Sequence, residues 1–365
     1  MLPEIKNGKS RFKETKMSNI TSPLPVTIRP FTGSEADYCD WVALRNAVMP
    51  EYTRTVDEIK QWDARRQKKY VHQRFVAEVE GVVVGGVVYN QNPWNYHPLK
   101  FEINVKVHPD YEGQRIGSTL YQYLLDDLNT TGPLSLRCKV REDWVRGHRF
   151  ARDRDFVEDF REWESRLHVE TFDAAPFAAR YEEPLKHDIV IKTARQWREE
   201  MPDALERWYE MDMLATADVP SPEPITFPPF EEWVKWFQDN PSVLWDAIFL
   251  AWDEKTQQFA GVTSLWKREL DSDLETGFTG VHPQHRRKGV AFALKLRAIE
   301  YARSVNCSTI RTDNASTNRA MLSINEALGF AKQPAWISLV KTFPHAPTPQ
   351  DSNSLSLTVL GTALS

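Results

Sequence analysis

The sequence predicts an α+β protein made of two tandem domains, each a mixed, mostly antiparallel sheet with helices on both faces. Three observations predict it. Apolar strand-like and amphipathic helix-like runs follow one order twice, strands first and a helix–strand–helix block afterwards. Two landmarks repeat at one offset: Pro109 to Pro283 is 283 − 109 = 174 residues, and Phe156 to Phe330 is 330 − 156 = 174. Finally, residues 279–291 read as a strand end at Val281, a break at Pro283, and a basic, glycine-containing loop that opens a helix.

Composition narrows the classes. At 365 residues, 41% hydrophobic and 27% charged, the chain suits two ordinary soluble domains. A net charge of −5 argues against a general nucleic-acid binder. No apolar run reaches the roughly 18 residues a membrane span needs. Cys39, Cys138 and Cys307 are scattered and odd in number, which fits a reducing cytoplasm and offers no structural zinc site. His282 and His285 have no third ligand nearby, so no metal is expected.

In chain order, residues 1–24 are polar and basic without the apolar core of a secretory signal, and read as disordered. The first domain spans 25–173. It opens with a strand at 26–30, helices at 35–48 and 56–66, and strands at 75–79 and 82–89 around the Glu80-Gly81 turn. A strand at 101–107 leads to a helix ending at Leu128, then a strand at 134–140, a helix at 144–152 and two strands between 156 and 172. Residues 174–187, with Pro176 and Pro184, read as the linker. The second domain, 188–343, repeats the plan: a strand at 188–192, helices at 196–213 and 230–238, strands at 247–252, 259–266 and 275–281, then the basic loop and its helix. A strand at 309–312, a helix from Asn318 and a strand at 336–343 complete it, leaving a tail, 344–365. Residues 219–229 carry five prolines and form a long loop of the kind that is often functional.

The basic loop is suited to phosphates, because first-turn N–H groups lack intrahelical partners and the helix dipole favours an anion there. Gly289 lets backbone approach a ligand, and Ala291 keeps the next turn narrow. It is not a nucleotide P-loop, since G-x-x-x-x-G-K-[ST] does not occur. Its residue order, Arg286-Arg287-Lys288-Gly289-Val290-Ala291 after Val281-His282-Pro283, resembles the Q/R-x-x-G-x-G/A signature of the GCN5-related N-acetyltransferase (GNAT) superfamily. Asn318-Arg319-Ala320-Met321 through Leu328-Gly329-Phe330 resembles that family's N-x-x-A…G-F helix, with Met321 where Ala is usual. The tandem arrangement looks most like mycothiol-synthase-like members.

This resemblance implies two tandem GNAT domains, acetyl-CoA as cosubstrate, and a small-molecule amine as acceptor. It places the pyrophosphate on Arg286, Arg287, Lys288, Gly289, Val290 and Ala291, with Val281 and Asn318 also at the cofactor. In the first half the 174 offset puts Glu112 at Arg286 and Arg115 at Gly289, a carboxylate and a bulky side chain where the anion should sit. The second half is therefore expected to be catalytic. Glu275, on the strand leading into the loop, is the candidate base, sharing strand parity with Gly277, Thr279 and Val281. Asn325 stands where many relatives carry an acidic Tyr; an amide can donate a hydrogen bond but cannot release a proton. Trp233, Trp236 and Phe237 occupy the segment that usually walls the acceptor pocket, and their helical spacing equally suits core packing. The alternative from another class is a non-catalytic acyl-CoA sensor or scaffold. The acceptor's identity and the oligomeric state are not written in the sequence.

Overall fold

The structure, a computed structural model, describes residues 25–344. The expectations for 1–24 and for the tail from 345 onward lie outside the described residues. The first half runs β1 (Thr27–Pro30), α1 (Glu35–Val48), α2 (Val56–Arg65), β2 (His72–Val79), β3 (Val82–Asn90), β4 (Lys100–Val107), α3 (Ile116–Leu128), β5 (Ser135–Arg141), α4 (Val145–Arg152) and β6 (Val157–His168). A helix α5 (Ala178–Leu185) leads to β7 (Ile189–Thr193), α6 (Ala194–Glu200), α7 (Ala204–Thr216), α8 (Phe230–Asp239), β8 (Val243–Asp253), β9 (Gln258–Lys267) and β10 (Leu274–Val281). The chain then forms α9 (Val290–Ser304), β11 (Thr309–Ala315), α10 (Arg319–Ala327), β12 (Ala331–Lys332) and β13 (Trp336–Thr342).

The 174 offset holds element by element: Lys100–Val107 plus 174 gives Leu274–Val281, and Ser135–Arg141 plus 174 gives Thr309–Ala315. The two halves nevertheless do not make two separate sheets. One sheet runs β1-β2-β3-β4-β5-β13-β6-β11-β10-β9-β8-β7, with β12 beside β6. The last strand of each half has crossed over: β13 pairs with β5, and β6 pairs with β11, both antiparallel. Trp336 faces Glu162, its own counterpart at 336 − 162 = 174, so a pseudo-twofold axis passes between β13 and β6.

Four apolar clusters follow. Helices α3 and α4 cover one face of the first half and α1 and α2 the other, while α9 covers one face of the second half and α6, α7 and α8 the opposite one. The crossover is visible in the cores: Ile337 and Leu339 belong to the first, and Leu167, Val169 and Phe172 to the second.

Three expectations change. The two strands read between 156 and 172 are one strand, β6, because its length is used in pairing with β11 and β13 instead of folding back. The helix read at 196–213 breaks at Pro202, which has no N–H to continue it. The linker at 174–187 contains α5, which packs on α9 through Phe177 and Arg180 against Phe292.

Because each half finishes the other's sheet, denaturation is expected to give one cooperative transition rather than two. Ile337→Ala, on a second-half strand buried in the first-half core, should lower the unfolding free energy by about 2–4 kcal/mol with fluorescence and circular dichroism shifting together.

Candidate functional site

Strands β10 and β11 are parallel for only two pairs, Leu274↔Ile310 and Glu275↔Arg311, and then separate. Their unpaired edges open a slot in the second half. On its other edge β10 pairs with β9, and the register shifts by one residue between Thr276 and Thr279. This bulge lies at Gly277 and Phe278, and it inverts the alternation beyond it. Glu275 is opposite Trp266 and Gly280 opposite Val262, so these share a face, whereas Thr279 and Val281 turn to the other. The strand parity read from the sequence thus fails across the bulge. The Phe278 N–H is held by Ser264 Oγ at 3.0 Å.

The basic loop follows directly. Arg287 and Gly289 both take left-handed backbone, φ 61° and 77°, alternating with ordinary residues so that successive N–H groups form an anion-binding concavity at the start of α9. Arg287 and Lys288 are exposed, and Val290 is a core residue. The Arg286 guanidinium donates to the Val281 carbonyl at 3.2 Å and to Asp218 at 2.5 Å, which fixes it beside the loop. Gly289 lies against α5, where an added Cβ would stand 3.4 Å from Pro184 Cδ. Asn318 caps α10, its Oδ1 accepting from the Met321 N–H. Asn325 is buried, donates to Asn314 Oδ1 at 2.6 Å, and has an Oδ1 that meets no donor.

The first half keeps the frame, including a parallel pair, β4–β5, that separates after three residue pairs, and loses the other features. Its β3–β4 register is unbroken, so β4 has no bulge. The loop backbone is the same, with positive φ at Gly113 and Arg115, but the glycine sits at the wrong one of the two positions. Glu112 is paired with Arg146 at 2.7 Å. Trp144, at the Asn318 position, provides no cap and packs edge-on to Trp336. Lys106 replaces Gly280 and is buried against Trp41, hydrogen-bonded to Asn104.

Two cavities lie where the halves meet, of about 530 and 560 Å³. The first reaches Gly277 and Phe278 at the bulge, with Asp212 on α7 and Phe237 on α8. The second contains Glu275, Arg54 and Trp62. Trp233, Trp236 and Trp266 border both, and the Trp236 and Trp266 rings stand 5.2 Å apart between them. Glu275 is 3.9 Å from the Arg54 guanidinium. Asp313 on β11 is open at its tip yet walled by protein; that burial, and then the Glu164, Glu162 and Glu275 carboxylates, push its carboxyl up to about 7. The 219–229 loop seals the first cavity against the first half: the Thr226 N–H donates to the Trp94 carbonyl at 2.6 Å, and Glu223 pairs with Lys100 and Arg137.

The sequence reading did not find Asp212 or Asp313. Asp212 falls in a helical run whose apolar spacing hid it, and nothing local marks either residue. Among the described residues no group of three metal ligands occurs and no helix is long and apolar enough to cross a membrane. His285 is buried with Nδ1 3.5 Å from Asp253, and its pKa is lowered chiefly by burial.

A parallel strand pair that splits, a bulge beside the split and an anion loop on the following helix thus lie together in the second half. Sequence comparison gives the class: the profile of the acetyltransferase (GNAT) family matches residues 41–156 and 203–330, and the chain belongs to that family. No curated protein sequence matches it. Among solved structures, a GCN5-related N-acetyltransferase from Sphaerobacter thermophilus is similar over 88% of this chain and 98% of its own, at TM-score 0.65 and 16% identity. A tandem GNAT protein from the clavulanic acid biosynthesis pathway is similar over 88% and 100%, at TM-score 0.68 and 16% identity. These likenesses concern the fold, a tandem GNAT arrangement.

Burial, then the charges of Arg45 and Arg74, lower the Lys106 pKa from 10.5 to about 7. Between those pH values the unfolded chain binds more protons than the folded one, so stability contributed here rises with pH through that window. Lys106→Met is expected to raise the melting temperature at pH 7 and to change it little at pH 10.5.

Proposed function

We propose that the protein is an acetyl-CoA-dependent N-acetyltransferase acting on a small-molecule amine, with its chemistry in the second half. The observation that carries this reading is the difference between the halves: both have a parallel strand pair that splits, but the bulge and a glycine at the helix-opening position of the anion loop occur only after β10. When bound, acetyl-CoA supplies an activated acyl carbon and a thiolate leaving group. Arg286, Arg287, Lys288 and the N–H groups of residues 287–291 would hold its pyrophosphate, and Gly289 admits the close backbone approach. Val281, Val290 and Ala291 shape the path beside them, while Asn318 fixes the start of α10. Trp233, Trp236 and Phe237 form the apolar wall for the acceptor. Glu275, on β10 beside the point of splitting, is the base suggested by strand position, and Asn325 the residue suggested for orienting the sulfur end. The likeness of fold to a tandem GNAT protein supports the reading.

Neutralising the amine is necessary, since an alkylamine of pKa near roughly 10.4 is almost wholly protonated at pH 7. Expelling the thiolate is easier, because a thiol of pKa about 8.5 is a tolerable leaving group. The demanding roles are therefore phosphate binding and proton removal.

Titration with acetyl-CoA is expected to show one tight site per chain. Arg286→Ala should weaken it roughly tenfold or more, as loss of a charge-assisted contact does. Glu112→Ala should leave both affinity and thiol release with an amine panel within about twofold, as expected of an exposed change. Two equal sites, or the reverse ranking of the variants, would count against the assignment of chemistry to the second half.

A further inference from the structure

One charged side chain lining the first cavity has an oxygen that no protein donor meets. Asp212 is 8% exposed and lines the cavity from α7. Its Oδ2 accepts from Trp233 Nε1 at 3.3 Å, while its buried Oδ1 meets no donor. Trp208 lies close enough for its indole N–H to lower the carboxyl's pKa somewhat, but that N–H closes no hydrogen bond. The other charged groups facing the cavity are engaged. Lys100 pairs with Glu223 at 2.7 Å, Arg137 with Asp159 at 2.6 Å and Glu223 at 3.3 Å, and Lys139 with Glu162 at 2.5 Å. Glu102 accepts from Asn92 Nδ2 at 2.7 Å.

The cavity lining that Asp212 shares includes many aromatic rings, among them Trp94, Phe227, Trp236, Phe237, Trp266 and Phe278. Isolating an ionised carboxylate in such surroundings is costly unless a cation meets it. Aromatic faces attract the same cation. The volume, about 530 Å³, lies within the usual range of small-ligand pockets. The cavity also opens on Gly277 and Phe278, at the bulge beside the slot between β10 and β11.

We infer that this cavity receives the acceptor as an ammonium with an apolar, arylalkyl-type body, and that Asp212 binds that ammonium and takes its proton. The inference rests on the acetyl-transfer reading and names its acceptor class. An N–H bond of the ammonium breaks, leaving its electron pair on nitrogen and the proton on the Asp212 carboxylate. The nitrogen bonds to the thioester carbon, and the C–S bond breaks with its pair on sulfur. The surplus proton on nitrogen passes through solvent to sulfur, giving an amide and a thiol, and Asp212 returns its own proton to solvent.

Burial pushes the Asp212 carboxyl up to about 7, countered in part by the Trp233 and Trp208 N–H groups. A carboxyl so placed is ionised above neutral pH and still basic enough to be protonated by a desolvated ammonium. Glu275 is less well placed for this task. It lies in the other cavity, across the Trp236–Trp266 contact, and next to Arg54.

The test uses the full chain and calorimetry with 2-phenylethylamine and its neutral isostere 2-phenylethanol, without acetyl-CoA. The unaltered protein should bind the amine at least about tenfold more tightly than the alcohol, the scale of one charge-assisted contact. Asp212→Asn should bind the two alike. In turnover, the rise of rate with pH through about 7 should vanish in Asp212→Asn. The same variant should melt higher at pH 8, where Asp212 is charged in both states, and this advantage should shrink as the pH falls from about 7 toward 3.8, the window between the folded and unfolded values. Equal binding of amine and alcohol by the unaltered protein overturns the inference without any variant. So does a pH limb that survives Asp212→Asn and disappears in Glu275→Gln. Acetyl-CoA titration is independent of both: its failure strikes the acetyl-transfer reading, while intact cofactor binding with no amine preference strikes this inference alone.

Discussion

The antiparallel pair β6–β13 is the interaction on which the molecule depends. A strand at a sheet edge carries unpaired N–H and C=O groups and must be covered or paired. Here each half covers the open edge of the other with its own last strand, and the sheet becomes continuous. Side chains travel with the strands, so Ile337 and Leu167 each complete the core of the opposite half. This exchange holds the α1/α2 face and the α7/α8 face toward each other. The cavities bordered by Trp94 from one half and Trp233 from the other exist because of it.

Within that frame the two halves have the same backbone and different chemistry. Arg115 and Gly289 both begin a helix in the left-handed region, at φ 64° and 77°. A non-glycine residue there costs roughly 1–2 kcal/mol, which the first half tolerates at Arg115. Likewise Trp144 and Asn318 have nearly equal dihedrals, but only Asn318 can cap the following helix. Dihedral angles have been retained where side-chain function has not.

Much of this was legible. The period of 174 placed β4 on β10 and β5 on β11, and the loop residues from Arg286 to Ala291 lie together as read. The strand crossover was not legible, because an apolar strand has the same alternation whichever sheet receives it. Nor was the bulge: one extra residue leaves Glu275, Gly277 and Thr279 looking like a single face, whereas the register separates Glu275 from Thr279. Asp212 could not be read either, since its significance comes from Trp233, Trp208 and Gly277, three residues on three different elements. Glu223, one of several carboxylates that could attract an amine, is neutralised by Lys100 and Arg137 through contacts between the halves.

The distribution of charge along β10 is compatible with the two oppositely charged substrates proposed for a chain of net charge −5. At roughly 3.3 Å per residue, its eight residues extend about 26 Å. Beyond its far end, Arg286, Arg287 and Lys288 stand at a helix N-terminus and suit a polyanion. Near its start, Glu275 lies within electrostatic reach of Asp313, as do Glu162 and Glu164, and Asp212 approaches the bulge from α7. In the proposed reaction, fields of opposite sign focused in low-dielectric clefts would steer each ligand to its own mouth. The bulge lies between the two regions, where that proposal brings the acyl carbon and the amine nitrogen together. A uniform charge on the same strand would repel one partner for every gain with the other, which is why net charge says little here and the placement of a few side chains says much.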